Sequence, residues 1–195
     1  FDPYDVEETF MVLPNLSDPD HNTMDVKAYF SPLTYWKDYV DGSGREGHVT
    51  VTTGDIVTDY NGDVHIYSKN GLAWLISLCN GLNYQQMSDF YFNTVHIHNM
   101  QNQTTSEYDM KDYLWTPLGT AQHPFRGVLK VDPGVTINNI IVNEPQMDNV
   151  GFFGYLDAAT LKKLNIKNSI FRGQQYVGGI AAQAVNTTLD TCTVD

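Results

Sequence analysis

His96-Ile-His98 places two imidazoles at alternate positions of one short segment. Alternate residues of a β-strand share a face. Imidazole is the commonest protein ligand for transition metals, so the pair has the chemistry of part of a zinc site. Such a site needs a third ligand, and none stands at a recognisable spacing; no metal and no cofactor is therefore assigned. Asp59-x-Asn61-x-Asp63 opens like a calcium loop, but Gly62 precedes Asp63 instead of following it, and the twelfth position is Asn70 rather than a Glu. That stretch reads as a hairpin turn. Asp109 and Asp112 flank Lys111 close to Trp115; carboxylates beside an aromatic ring can hold a sugar, and the competing reading is a loop packed by a structural Trp. G-x-S-x-G and GxxxxGK[ST] are both absent. No catalytic residue is assigned, and binding residues stay unidentified.

Composition limits what can position these groups. The chain has 195 residues, 42% of them hydrophobic, with 12 Tyr, 9 Phe and many Asn, Thr, Gly and Asp punctuating short apolar runs. That is the make-up of a β-rich protein. A formal charge of -12, from 11 Lys+Arg against 23 Asp+Glu, argues against nucleic-acid binding, which needs clustered positive charge. No apolar run approaches the roughly 20 residues that cross a bilayer, so no membrane insertion of this segment is expected. The chain starts at Phe1 without a basic-then-apolar leader, as in a processed protein or a fragment. Cys79 and Cys192 form no CxxC pair, which argues against a redox motif. N-x-S/T sequons stand at Asn15, Asn102 and Asn186.

Internal repetition is the strongest signal. Leu161-Lys-Lys-Leu164-Asn-Ile166 has the apolar spacing of Ile137-Asn-Asn-Ile140-Ile-Val142, 24 residues upstream, and of Leu189-Asp-Thr-Cys192-Thr-Val194, 28 downstream. Val150-Gly-Phe-Phe-Gly154 matches Val177-Gly-Gly-Ile-Ala181, 27 residues on. Two motifs recurring together at a period in the twenties fit a parallel β-helix, in which coils stack at about 4.8 Å and pool their inward side chains. Leu161, Leu164 and Ile166 would face inward, Cys192 would be a buried free thiol, and the glycines would mark positive φ or close coil contact. Asn138, Lys162 and Asp190 would form one outward column, Asn143, Lys167 and Asp195 another. "DAAT", Asp157 to Thr160, would be a corner, although 156–166 alone also suits an amphipathic helix.

Residues 150–194 resemble the GLUG-type repeat of bacterial, Bacteroides-like surface and secreted proteins. "YLWTPLGTAQHPFRGVLKVDPGVTINNIIV" is similar to the lead-in before such repeats, and "IYSKNGLAWLISLCNGLN" to the helical segment that starts these domains. The likeness spans about residues 64–195. Ala181, where the second repeat usually has Gly, and "KVDPGVTI" depart from the pattern at two corners. The resemblance implies a right-handed parallel β-helix and an extracellular or cell-surface bacterial protein.

Two regions follow: 1–63, a small β region, and 64–195, the β-helix with a capping helix at about 68–80. Within that helix Ser68 is the N-cap and Leu72, Leu75, Ile76 and Cys79 share a stripe. A helix across the open end would place Cys79 several coils from Cys192, too far for a disulfide. In 1–63, "ETFMVLP", "MDVKAYF" and "HVTVTTGDIV" are strand-like, and "VTDYNGDVHIY" carries an Asn-Gly hairpin signal. Parts of this region weakly resemble a fimbrillin-type β-sandwich. The expected function is a non-catalytic surface or secreted module for adhesion, spacing or display, contacting glycan or host protein. The alternative is a β-helix polysaccharide lyase or glycoside hydrolase. A hydrolase needs paired carboxylates about 5–10 Å apart, whereas the outward columns read Asn, Lys, Asp. An uncovered last coil is a liability, so the native chain is expected to continue past Asp195 or to self-associate end to end.

Overall fold

The computed structural model describes residues 35–80 and 94–195, all of which belong to one compact unit, Tyr35–Asp195. The strand-like runs within 1–34 and the sequon at Asn15 lie outside the described residues. From Phe153 onward, short extended segments alternate with tight corners. The chain runs α1 (Trp36–Tyr39), β1 (Ile56–Thr58), β2 (Val64–Ile66), α2 (Lys69–Cys79), β3 (Thr94–Ile97), β4 (Ser106–Asp109), β5 (Val128–Val131), β6 (Val135–Asn138) and β7 (Ile141–Asn143). It continues through β8 (Phe153–Asp157), β9 (Thr160–Lys162), β10 (Asn165–Lys167), β11 (Ile170–Arg172), β12 (Ala181–Val185), β13 (Thr188–Asp190) and β14 (Thr193–Val194). These build a β-solenoid of about 4 turns.

Four sheets run along it, in the orders β1-β2-β3-β5-β9-β13, β14-β10-β6-β4, β11-β7 and β12-β8. Among the described residues β1–β2 is antiparallel and the other strand pairings are parallel. One complete coil, β8 to β11, therefore crosses all four faces. Inward columns run along the axis: Val64, Val95, Leu129, Leu161 and Leu189 stack in register, as do Ile66, Ile97 and Val131. The first four of the longer column and all three of the shorter are buried. Each large buried aliphatic contributes about 1.5–3 kcal/mol through burial.

The corners explain the helix-like look of the stretch after Val150. Ala158, Lys163 and Asn168 all have positive φ (51°, 61° and 50°), as do Asn186 and Thr191 in the next coil. A single left-handed residue reverses neither strand nor face; it bends the chain by one corner and lets the next short strand begin. Gly134, Lys163 and Thr191 stand at equivalent corners of successive coils, as do Asn139 and Asn168. Asn visits this region more readily than other residues with a Cβ. Because corners recur every five residues, the inward positions fall at Leu156, Ala159, Leu161, Leu164 and Ile166, all buried. Their alternating 3-and-2 spacing mimics a helical stripe. "DAAT" is indeed a corner.

Two details of the repeat differ from the sequence reading. The downstream step of 28 is correct, since Leu161 pairs with Leu189 and Lys162 with Asp190. The upstream step of 24 is not: Ile137 pairs with Ile166, Asn138 with Lys167 and Asn143 with Arg172, while Leu161 pairs with Leu129. The true offset at Ile137 is 29, one five-residue face more. Asn138 is also buried (8% exposed) rather than outward. Val150 bridges Val177, and of the two reasons expected for the glycines the structure shows close approach: a Cβ on Gly151 would lie 2.7 Å from the carbonyl oxygens of Gly178 and Phe153, and one on Gly154 2.6 Å from that of Gly119.

At the N-terminal end, α2 lies against the first coils with Leu72, Leu75, Ile76 and Cys79 in the common core. Ser68 Oγ accepts from the Gly71 N–H (3.2 Å) and donates to Asp55 Oδ1 (2.6 Å), a side-chain N-cap of the expected kind. Residues 35–63 join the same unit: β1 forms a hairpin with β2, and Trp36, fully buried, donates its indole N–H to the Met110 carbonyl (2.9 Å). Residues 48–53 are irregular, so only the end of "HVTVTTGDIV" becomes a strand. Cys79 and Cys192 are both free; Cys192 is half-buried rather than buried because it sits in the outermost coil. That coil leaves Val177, Leu189 and Val194 about half exposed, from 47% to 50%. Among the described residues no helix is long and apolar enough to cross a membrane.

Truncating a fully buried member of the long column, Leu161→Ala, is expected to lower unfolding stability by about 2–5 kcal/mol. The outward neighbour Lys162→Ala should change it by less than about 0.5 kcal/mol. Urea unfolding of the two variants beside the parent checks the difference.

Candidate functional site

Coil register brings together residues that are far apart in sequence. His65 on β2 pairs directly with His96 on β3, both facing outward between two buried columns. His98 follows β3 by one residue, and its N–H bonds the Ile66 carbonyl (2.9 Å), so the β-like path continues past the strand end. Its ring returns to the face of His96, at 3.7 Å between centroids, and lies nearly parallel to His65 at 5.2 Å. Tyr67 stacks on the other side of His98, 4.8 Å away at 12°. One ring nitrogen from each of His65, His96 and His98 lies within 4.8 Å of the others.

Two carboxylates orient the rings. Asp132, one residue beyond β5, places Oδ1 2.6 Å from His96 Nε2 and Oδ2 3.4 Å from His98 Nδ1. Asp132 is itself held by the Asn99 N–H to Oδ2 (3.1 Å) and by its own N–H to the Ile97 carbonyl (2.9 Å). Asp59 Oδ2 stands 3.5 Å from His65 Nε2, at the outer limit of a hydrogen bond. A carboxylate only accepts, so Asp132 draws the ring proton of His96 to Nε2 and that of His98 to Nδ1. Lone pairs are then left on His96 Nδ1 and His98 Nε2, and His65 Nδ1, 2.9 Å from His98 Nε2, holds the proton between them.

The electrostatics favour a neutral His98 ring. Burial lowers the His98 pKa, and the neighbouring His96 lowers it further, against an upward pull from Asp132. Burial raises the Asp132 carboxyl, but hydrogen bonds from the Asn99 N–H and His96 bring it below 3.8 overall. Beneath the cluster Tyr108, buried, donates its hydroxyl to the His98 carbonyl (2.7 Å), and burial followed by the charge of Asp132 pushes its pKa up.

The other sequence candidates resolve differently. Asp59 Oδ1 accepts from the N–H groups of Asn61 (2.8 Å) and Asp63 (3.0 Å), so the calcium-like triad is the β1–β2 hairpin turn, with Gly62 at φ 82°. Asp109 pairs with Lys111 (2.8 Å), and Asp112 with Lys69. Trp115 is fully buried, stacked on Phe152 at 5.0 Å with its N–H on the Phe152 carbonyl; it is a core residue and offers no sugar platform. His96 and His98 meet the third imidazole that their spacing did not supply. The missed signal was in plain view: Val64-His65-Ile66 and Val95-His96-Ile97 are the same tripeptide 31 residues apart, one coil of the solenoid.

Fold and site thus define a parallel β-solenoid with a carboxylate-braced histidine cluster on one flank of its first coils. Comparison with protein-family models, with curated proteins and with solved structures gives no match to this chain.

An NMR titration of the imidazole resonances should find His98 taking its proton below the ordinary value of 6.5. Asp132→Asn, which removes the upward pull, should move the midpoint lower still. A midpoint at or above 6.5 in the parent would contradict the described environment.

Proposed function

We propose that the chain is a non-catalytic module of an exported bacterial protein, secreted or at the cell surface, serving adhesion, spacing or display. Three things support the reading. Residues 64–195 resemble GLUG-type domains, which occur in surface and secreted proteins. A solenoid filled along its axis is a rigid spacer whose flanks present repeated outward columns. The carboxylates carry most weight. Glycoside hydrolysis needs a general acid with a raised pKa beside a second carboxylate. Among the described residues, the carboxylates whose pKa departs from 3.8 are Asp41, Asp55, Asp59, Asp109 and Asp132, and all move down. Desolvation pushes the first three and Asp132 upward, and donated hydrogen bonds outweigh it; at Asp109 the bonds from Lys111 and Asn139 lead. Such groups are held ionised, which suits structural pairing and not proton donation.

On this reading the partners are glycan or host surface protein along the flank. Val177, Leu189 and Val194 of the outermost coil are half exposed, while the residues they stack on, Val150, Leu161 and Ile166, are buried. The expected result is binding on a glycan array or to host matrix proteins, with no new reducing ends or unsaturated sugars released from a polysaccharide panel. Turnover of any polysaccharide would replace this reading with a β-helix lyase or hydrolase.

A further inference from the structure

We infer that His65, His96 and His98 form a binding site for a divalent transition-metal ion, zinc first among them. The inference goes beyond the module reading and does not depend on it. It starts from an arrangement that is unfavourable without a ligand. Three imidazoles crowd one flank with their side chains only 25%, 17% and 21% exposed, where more than one positive ring would repel its neighbours. Neutral imidazoles with lone pairs turned toward each other are what a metal ion requires.

The two carboxylates match that requirement. Ligating histidines characteristically give their second ring N–H to a carboxylate or carbonyl, which fixes the tautomer and strengthens the ligand. Here Asp132 takes that role for both His96 and His98, and Asp59 stands on the far nitrogen of His65. Both acids also add negative charge around a site for a cation. His65 Nδ1 and His98 Nε2, 2.9 Å apart, share one proton in the free protein. An ion with bonds of about 2.0–2.1 Å to each would displace that proton and open the pair to roughly 3.3 Å, by tetrahedral geometry. Such a change lies within side-chain rotation.

The donor set selects the metal. Three nitrogen donors suit zinc, copper, nickel or cobalt; calcium and magnesium demand oxygen-rich shells. The next member of the column is the exposed Lys130, so the neighbouring coil supplies no fourth imidazole. Three protein ligands leave a coordination position for water or for a donor from a bound partner. The competing account is a packed stack of Tyr67, His98 and His65 that binds nothing.

The test is titration calorimetry of the full chain, freed of metal, with zinc, nickel, copper and calcium chlorides at neutral pH. The expected result is one transition-metal ion per chain with micromolar or tighter affinity, and no heat from calcium. His65→Ala, His96→Ala and His98→Asn should each weaken zinc at least about 10-fold, and Asp132→Asn about 10-fold through ligand orientation. His123→Ala, which is not a member of the cluster, should leave affinity unchanged. Circular dichroism of each metal-free variant separates loss of a ligand from loss of fold. Absence of one-to-one binding by all three transition metals in the parent would overturn the inference, as would undiminished zinc affinity in His98→Asn or His65→Ala.

Discussion

Everything described for residues 35–195 depends on one constraint, the in-register parallel stacking of very short strands. A three-residue strand has little stability of its own; its backbone groups are satisfied by the coils before and after it. The same register decides which side chains meet. It lines Val64, Val95, Leu129 and Leu161 into one buried column, and it sets His65 beside His96 in the column next to it. A slip of one residue would exchange the two columns, placing imidazoles in the core and valines in water. Core and site are therefore held by a single choice of register, and the buried aliphatics enforce it.

The corners make that register attainable. Left-handed residues at Asn139, Ala158, Lys163, Asn168, Asn186 and Thr191 let the chain pass from one face of a coil to the next at a single residue. A left-handed conformation is unfavourable for residues with a Cβ, most of all for a β-branched one such as Thr191, and cross-coil backbone bonds hold it. The Lys163 N–H reaches the Asp190 carbonyl (2.8 Å), and the Asn168 N–H that of Asp195 (2.9 Å). The N-terminal end is closed by different means, with α2 and the β1–β2 hairpin packed where a preceding coil would lie. The hairpin turn at Asp59 serves two ends at once, ordering its own loop and standing beside His65.

The architecture was legible where coils have equal length. Leu161 and Leu189, 28 residues apart, announce it because β8–β9–β10 and β12–β13–β14 share loop lengths. Upstream, the longer connections between β3, β5 and β9 stretch the spacing beyond the twenties, and the apparent 24-residue match of Ile137 to Leu161 was a true 29-residue repeat displaced by one face. Faces that each carry two inward residues look alike, so composition cannot tell a coil from a coil less one face. The histidine cluster suffered for the same reason. His96 and His98 were recognisable as a same-face pair, since that needs only strand alternation. His65 becomes their neighbour only once the register across β2 and β3 is known, and Asp132 and Asp59 only once their loops are placed. Trp115 and Asp112, by contrast, read as a sugar platform only until burial and Lys69 are taken into account.

The central claim is that the stretch around Leu161 is an extended rung between two others. Backbone NOEs across residues 156–166 address it most directly. The account predicts strong sequential Hα–HN contacts, with the backbone of Leu161 close to that of Leu129 on one side and Leu189 on the other. A continuous run of strong HN–HN contacts through these residues, as in a helix, or a neighbour of Leu161 other than Leu129 and Leu189, would contradict it.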